Sequence, residues 1–110
     1  MPKKKIKEII RFLEENLRKQ NLNISKIAIF GSQAKGSATG ESDLDIVIVS
    51  KDFQGRDIFE RVKLIKEPEI LTIKKFMVPL DIITMTPEEF ESGSSLIAAY
   101  AKEGEIVFAA

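Results

Sequence analysis

A chain of 110 residues with 17 basic and 17 acidic side chains and neither Cys nor His has room for one core and lacks the groups for disulfides, thiolate zinc sites, cysteine nucleophiles or histidine acid–base chemistry. Its charges cancel, with a pI near 6.3, so no general basic field argues for gripping long nucleic acid, and any nucleotide would be held locally. No apolar run approaches the ~20 residues of a membrane span, and the basic start, Met1 to Lys5, leads into an amphipathic helix in place of a signal-peptide core; a cytoplasmic protein with a single domain over 1–110 is expected.

In chain order, Ile6, Ile9, Ile10, Leu13 and Leu17 recur at helical spacing between Lys, Arg and Glu. That spacing predicts a helix with one apolar stripe to lay on a sheet. Asn21 to Asn23 end it, and Ser25-Lys26 lead into a first strand, Ile27 to Phe30. A second strand runs from Leu44 to Val49; both runs are β-branched and aromatic-rich and bounded by Gly and Ser. Asp57 to Lys66, DIFERVKLIK, predicts a second helix with Ile58, Phe59, Val62 and Ile65 inward, interrupted at Pro68. Glu69 to Lys75 reads as a further helical turn, and Met77 to Met85, MVPLDIITM, as a third strand. Thr86-Pro87-Glu88-Glu89 is a helix start, with Thr86 as cap and Pro87 at the first helical position. Gly93 breaks or bends the chain beyond it. Ser94 or Ser95 then caps a helix through Leu96, Ile97, Tyr100 and Ala101, closed by Gly104, before a short strand Ile106 to Phe108. This order implies an α/β (α+β) fold, a small mixed sheet with helices packed on it.

The chemistry concentrates between Phe30 and Ser50, FGSQAKGSATGESDLDIVIVS. Side chains alternate along a strand, so Asp43 and Asp45 point the same way, with Val47 and Val49 after them on that face and Ile46 and Ile48 on the other. Like charges so arranged repel unless something positive lies between them, and hard oxygen ligands suit Mg²⁺. Asp81, between Leu80 and Ile82, is a third carboxylate in a strand-like run, where an uncompensated charge costs several kcal/mol or neutralises itself. If its strand lies beside that of Asp43 and Asp45, the three could hold two metals about 3.5 to 4 Å apart, the geometry of two-metal phosphoryl or nucleotidyl transfer. Gly31 permits close backbone approach, and Ser32 opens a short helical stretch, Gln33-Ala34-Lys35, whose N–H groups could cradle phosphate. Lys35 adds positive charge and Gly36 lets the chain leave the turn. Each piece also has a plain reading. Gly-Ser is ordinary turn chemistry, Ser42 and Asp43 can simply end a polar loop, Asp81 can pair with Lys74 or Lys75, and Lys35 can be a solvated charge. The combination carries the weight.

Gly31-Ser32-Gln33-Ala34-Lys35-Gly36-Ser37-Ala38-Thr39-Gly40-Glu41-Ser42-Asp43-Leu44-Asp45 resembles the signature of the minimal nucleotidyltransferases of the DNA polymerase β-like superfamily. The likeness runs over nearly the whole chain and implies a polymerase β-like nucleotidyltransferase core. By that resemblance Gly31 and Ser32, with Lys35, Gly36 and Ser42 around them, would hold a nucleoside triphosphate such as ATP. Asp43 and Asp45 would bind both Mg²⁺ ions, and Asp81 the catalytic one. Lys35 departs from the family, where many members carry Arg; it keeps the charge and loses the bidentate fork. The resemblance further implies transfer of AMP to a hydroxyl of a partner protein, with this chain as the antitoxin of a pair whose toxin is a HEPN protein. Two other readings stand beside it: nucleotidylation of a small molecule, and a non-catalytic binding module that neutralises its partner by contact.

Overall fold

The apolar stripe of the first helix, α1 (Lys3–Lys19), is buried at all five of its expected positions, Ile6, Ile9, Ile10, Leu13 and Leu17. Each such side chain contributes about 1.5–3 kcal/mol by leaving water. Arg18 and Lys19 sit in the last turn, where cations complement the helix dipole. Asn21 takes a left-handed conformation, φ 63°, and turns the chain into the sheet. The structure is a computed structural model that describes residues 1–31, 43–93, 98–99 and 103–110.

The four strands are β1 (Ile24–Phe30), β2 (Leu44–Ser50), β3 (Leu80–Met85) and β4 (Glu105–Ala109), in the spatial order β3-β2-β1-β4. β1 is antiparallel to β2 and to β4, whereas β2 and β3 are parallel. A parallel pair needs a crossover, since a hairpin cannot return the chain to the same end. It is supplied by a 3₁₀ turn, Lys51–Phe53, and the helix α2 (Ile58–Phe76). Both faces of the central strands are covered, which is why they read as unbroken apolar runs. Ile27, Ile29, Ile46 and Ile48 pack in one core cluster with α1, while Ala28, Phe30, Val47 and Val49 pack in a second with Met85, Phe90 and Ala98.

The starts of the second and third helices obey the expected chemistry. Asp57 caps α2 in a reciprocal box with Glu60, and Thr86 does the same with Glu89 at the head of α3 (Pro87–Ser92), which has Pro at its start. Gly93 closes α3 in a left-handed conformation. The helix expected through Leu96 to Ala101 lies outside the described residues except for Ala98 and Ala99, which are helical. β4 is longer at both ends than the strand expected over Ile106 to Phe108.

Two expectations for α2 need correction. Pro68 does not interrupt it: one helix runs from Ile58 to Phe76 with Pro68 inside. Proline loses the N–H aimed back at residue 64 and its ring crowds that residue's carbonyl; the ring is nevertheless buried, and Thr72 Oγ1 donates to the Pro68 carbonyl at 2.7 Å. Nor do Ile58, Phe59 and Val62 face inward. They are exposed, and of the four residues expected in the core Ile65 alone is there. The inward line runs through Ile65, Pro68 and Thr72. Finally, the run Met77 to Met85 is a strand only from Leu80, because Met77 caps α2 in a left-handed conformation, φ 54°.

Candidate nucleotide and metal site

Asp45 and Asp81 are register partners across the parallel pair, as are Leu44 and Leu80 before them. The Leu44 N–H donates to the Pro79 carbonyl at 3.0 Å and fixes where that ladder begins. Partners in register project from the same sheet face, and the side chains of Asp45 and Asp81 come close enough to hydrogen-bond. Farther along the same face Val47, Val49 and Met85 are buried under Phe90 of α3. At the near end the cover stops: Asp43 and Asp81 are exposed and Asp45 half-buried. The acids thus sit at the open end of two strands whose other ends are anchored in the core, a rigid mount for liganding groups.

Electrostatics marks this end as strained. Burial pushes the Asp45 carboxyl above the usual carboxylate range, and the charges of Asp81 and then Asp43, with the hydrogen bond to Asp81, push it the same way. Glu69 on α2 is likewise raised, first by burial and then by Asp81. Among the described residues no cation forms an ion pair with any of these groups. Lys75, a conceivable partner for Asp81, lies instead over the rings of Phe12 and Phe76, at 4.6 and 5.8 Å.

The turn after β1 meets this cluster directly. Phe30 is the register partner of Asp45, and Gly31 comes next with φ 70°. A Cβ placed on Gly31 would collide with Asp45 Oδ2 and lie 3.3 Å from its Cγ. Glycine is therefore required twice over, for the left-handed backbone and for the space the carboxylate occupies.

Of the residues singled out by sequence, the structure brings together Asp45, Asp81 and Gly31, with Asp43 near enough to act on Asp45 through its charge. Ser32, Lys35, Gly36 and Ser42 lie outside the described residues. Sequence reasoning misses Glu69 because it stands in an otherwise ordinary helix; its signal is a carboxylate beside Pro68 and one turn from Ile65, on the side that turns inward. The donor set is all carboxylate oxygen, with like charges in contact, and that suits a hard divalent cation. Among the described residues, no three carboxylates are gathered tightly enough to form a ready-made cage, so the fit rests on the Asp45–Asp81 pair.

A mixed α/β sheet that mounts paired acids at its open end, against a glycine turn, is a scaffold suited to holding a cation and a phosphate group. Residues 4–106 match the family model of the nucleotidyltransferase domain, and the chain belongs to that family. It is 36% identical over 80 residues to a candidate protein adenylyltransferase of Methanocaldococcus jannaschii, a match spanning 72% of this chain and 74% of that protein. Among solved structures it is similar to a candidate nucleotidyltransferase of Sulfolobus solfataricus, with TM-score 0.62 and 22% identity over 99% of this chain and 90% of that one. It is also similar to a chain of a toxin–antitoxin crystallised with AMP-PNP, with TM-score 0.65 and 19% identity over 94% of this chain and 73% of that one. A candidate minimal nucleotidyltransferase gives TM-score 0.60 and 17% identity over 96% and 94%. At such identities these structures establish a common fold, the mixed sheet with its helices.

Proposed function

We propose that this chain transfers AMP from ATP to a hydroxyl of a partner protein, acting as the antitoxin of a toxin–antitoxin pair. The observation that carries the proposal is the Asp45–Asp81 pair in register at the open end of β2 and β3 with Gly31 against it. Family membership supports nucleotidyl transfer. The M. jannaschii relative, named for protein adenylylation, supports a protein acceptor, and the fold shared with a chain of the toxin–antitoxin supports a protein partner; the antitoxin role is what the sequence motif implies. A HEPN protein remains the partner implied by the sequence motif.

In this reading Asp45 and Asp81, with Asp43 beside them, would hold Mg²⁺, and two ions would complete the site. Bound there, Mg²⁺ supplies charge neutralisation for the triphosphate and polarises the acceptor hydroxyl. Gly31 keeps the turn free of a side chain beside Asp45, and Ser32, Lys35, Gly36 and Ser42 are the further phosphate-holding residues that the sequence motif implies. Asp81, exposed on the edge strand, takes the proton of the acceptor hydroxyl. A bond forms from that oxygen to the α-phosphorus, the bond to the β-phosphate bridge breaks, and pyrophosphate departs. No covalent enzyme intermediate is needed, and the sequence has neither Cys nor His to supply a thiolate or imidazole nucleophile.

The test is to weigh each neighbouring gene product intact after incubation with this chain, ATP and Mg²⁺. A gain of one AMP on one of them, absent with Asp45→Asn, is expected. A partner that is bound and inhibited with unchanged mass would replace the proposal with a contact-only module.

A further inference from the structure

The solvent side of α2 is unusually apolar. Phe59 is 75% exposed, Ile58 66%, Val62 46%, Ile70 and Leu71 40% each, and Met77 at the cap 82%. Phe59 and Ile70 fall within roughly 20° of one another around the helix, and the line from Phe59 to Met77 is about 27 Å long. Lys63, Lys66 and Lys74 are exposed along it, and among the described residues none of the three has an ion-pair partner. Between them lies a shallow groove of about 370 Å³ lined by Lys63, Lys66, Glu67, Ile70 and Leu71. Packing against the sheet does not explain these residues, since the buried side of α2 is Ile65, Pro68 and Thr72.

We infer that this stripe docks a helical segment of the acceptor protein, one with an apolar ridge edged by Asp and Glu. The inference rests on the protein-acceptor reading above and adds where the acceptor binds. An exposed apolar line with charges beside it is the usual receptor for an amphipathic helix. The lysines set the sign of the partner. Glu67 on the same side is already engaged by Gln20 at 3.4 Å. A second copy of this chain fits poorly, because two such stripes face to face would bring lysines against lysines. Position adds a further argument. The stripe ends at Met77, and the next residues lead through Pro79, which is bonded to Leu44, into Asp81. A segment lying along α2 is delivered to the carboxylates.

The experiment uses the whole chain and two labelled synthetic amphipathic peptides of about 20 residues, long enough to cover the stripe. One has a Leu ridge edged by Glu, and the other has the same ridge edged by Lys. Fluorescence anisotropy is expected to show the Glu peptide binding, with affinity at least roughly tenfold weaker for the double variant Phe59→Ser, Ile70→Ser. Lys63→Glu with Lys66→Glu should reverse the preference toward the Lys peptide. These residues are exposed, so unchanged thermal unfolding of the variants serves as the fold control. Equal binding of both peptides, no loss in the double variant, a dimer dissolved by the same substitutions, or vesicle binding dissolved by them would each overturn the inference. ATP binding is measured alongside. Peptide docking without ATP binding would sink the nucleotidyltransferase reading of the site, and ATP binding without docking would sink the stripe alone.

Discussion

β2 and β3 share one parallel ladder yet serve opposite purposes at its two ends. Toward Val49 and Met85 the strands are dry, covered by Phe90, and every side chain there is explained by packing. Toward Asp45 and Asp81 the same face holds carboxylates in contact, with burial and like charge both raising the Asp45 pKa. The far end stabilises the fold and the near end spends part of that stability on a site. A designer filling positions 45 and 81 for stability alone would not choose two acids.

Substitutions should separate the ends cleanly. The largest effect is expected in the dry half: Ile48→Ala removes a fully buried side chain and should cost about 2–5 kcal/mol in denaturant unfolding. Asp45→Asn should leave the fold intact and reduce nucleotide transfer by about 10²-fold or more. A variant that retained transfer would erase the distinction between the ends.

Acidity gives the same substitution a second readout. Because the folded-state pKa of Asp45 lies above its ordinary 3.8, the folded protein binds more protons than the unfolded chain between the two values. Stability is therefore lost as pH rises through that window. With divalent cations chelated, Asp45→Asn should be more stable than wild type at neutral pH, and the difference should vanish below about pH 3.8. Gly31→Ala is next, about 1–2 kcal/mol from the left-handed backbone alone, with a further loss of nucleotide binding because the new methyl displaces the Asp45 carboxylate. The smallest effect is at Glu89. Burial pushes its carboxyl up, but its bonds to Thr86 and Arg61 outweigh that and hold it below its usual value. Glu89→Gln should cost about 1 kcal/mol, seen above the ordinary carboxylate range and fading as pH falls through it.

Much of this is legible in the residues. Helix α1 can be read directly because its buried apolar residues form a single stripe and the rest, Phe12 and Asn16 apart, are charged. The strands and the acid spacing emerge from β-branched runs and period-two alternation. The α2 face departs from expectation for a physical reason: that helix carries apolar residues both on its buried side, at Ile65, and on its exposed side, at Phe59 and Ile70. Periodicity finds a stripe but cannot say which of two is covered. Pro68 misleads because its missing N–H and its ring clash argue for a break, whereas burial of the ring on the inward side of α2 offsets that cost and the helix runs through. Glu69 requires tertiary structure, since its neighbour Asp81 is brought to it only by the crossover.

That crossover has a consequence for how the protein comes into being. β1 and β2 are consecutive and pair with each other, whereas β3 can join β2 only after the 19-residue helix α2 has been laid across the sheet. Emerging from the ribosome, the chain would have Asp45 long before Asp81. An incomplete or half-folded molecule thus has one carboxylate without the other, and the pair forms only when the long-range contact of β3 with β2 closes.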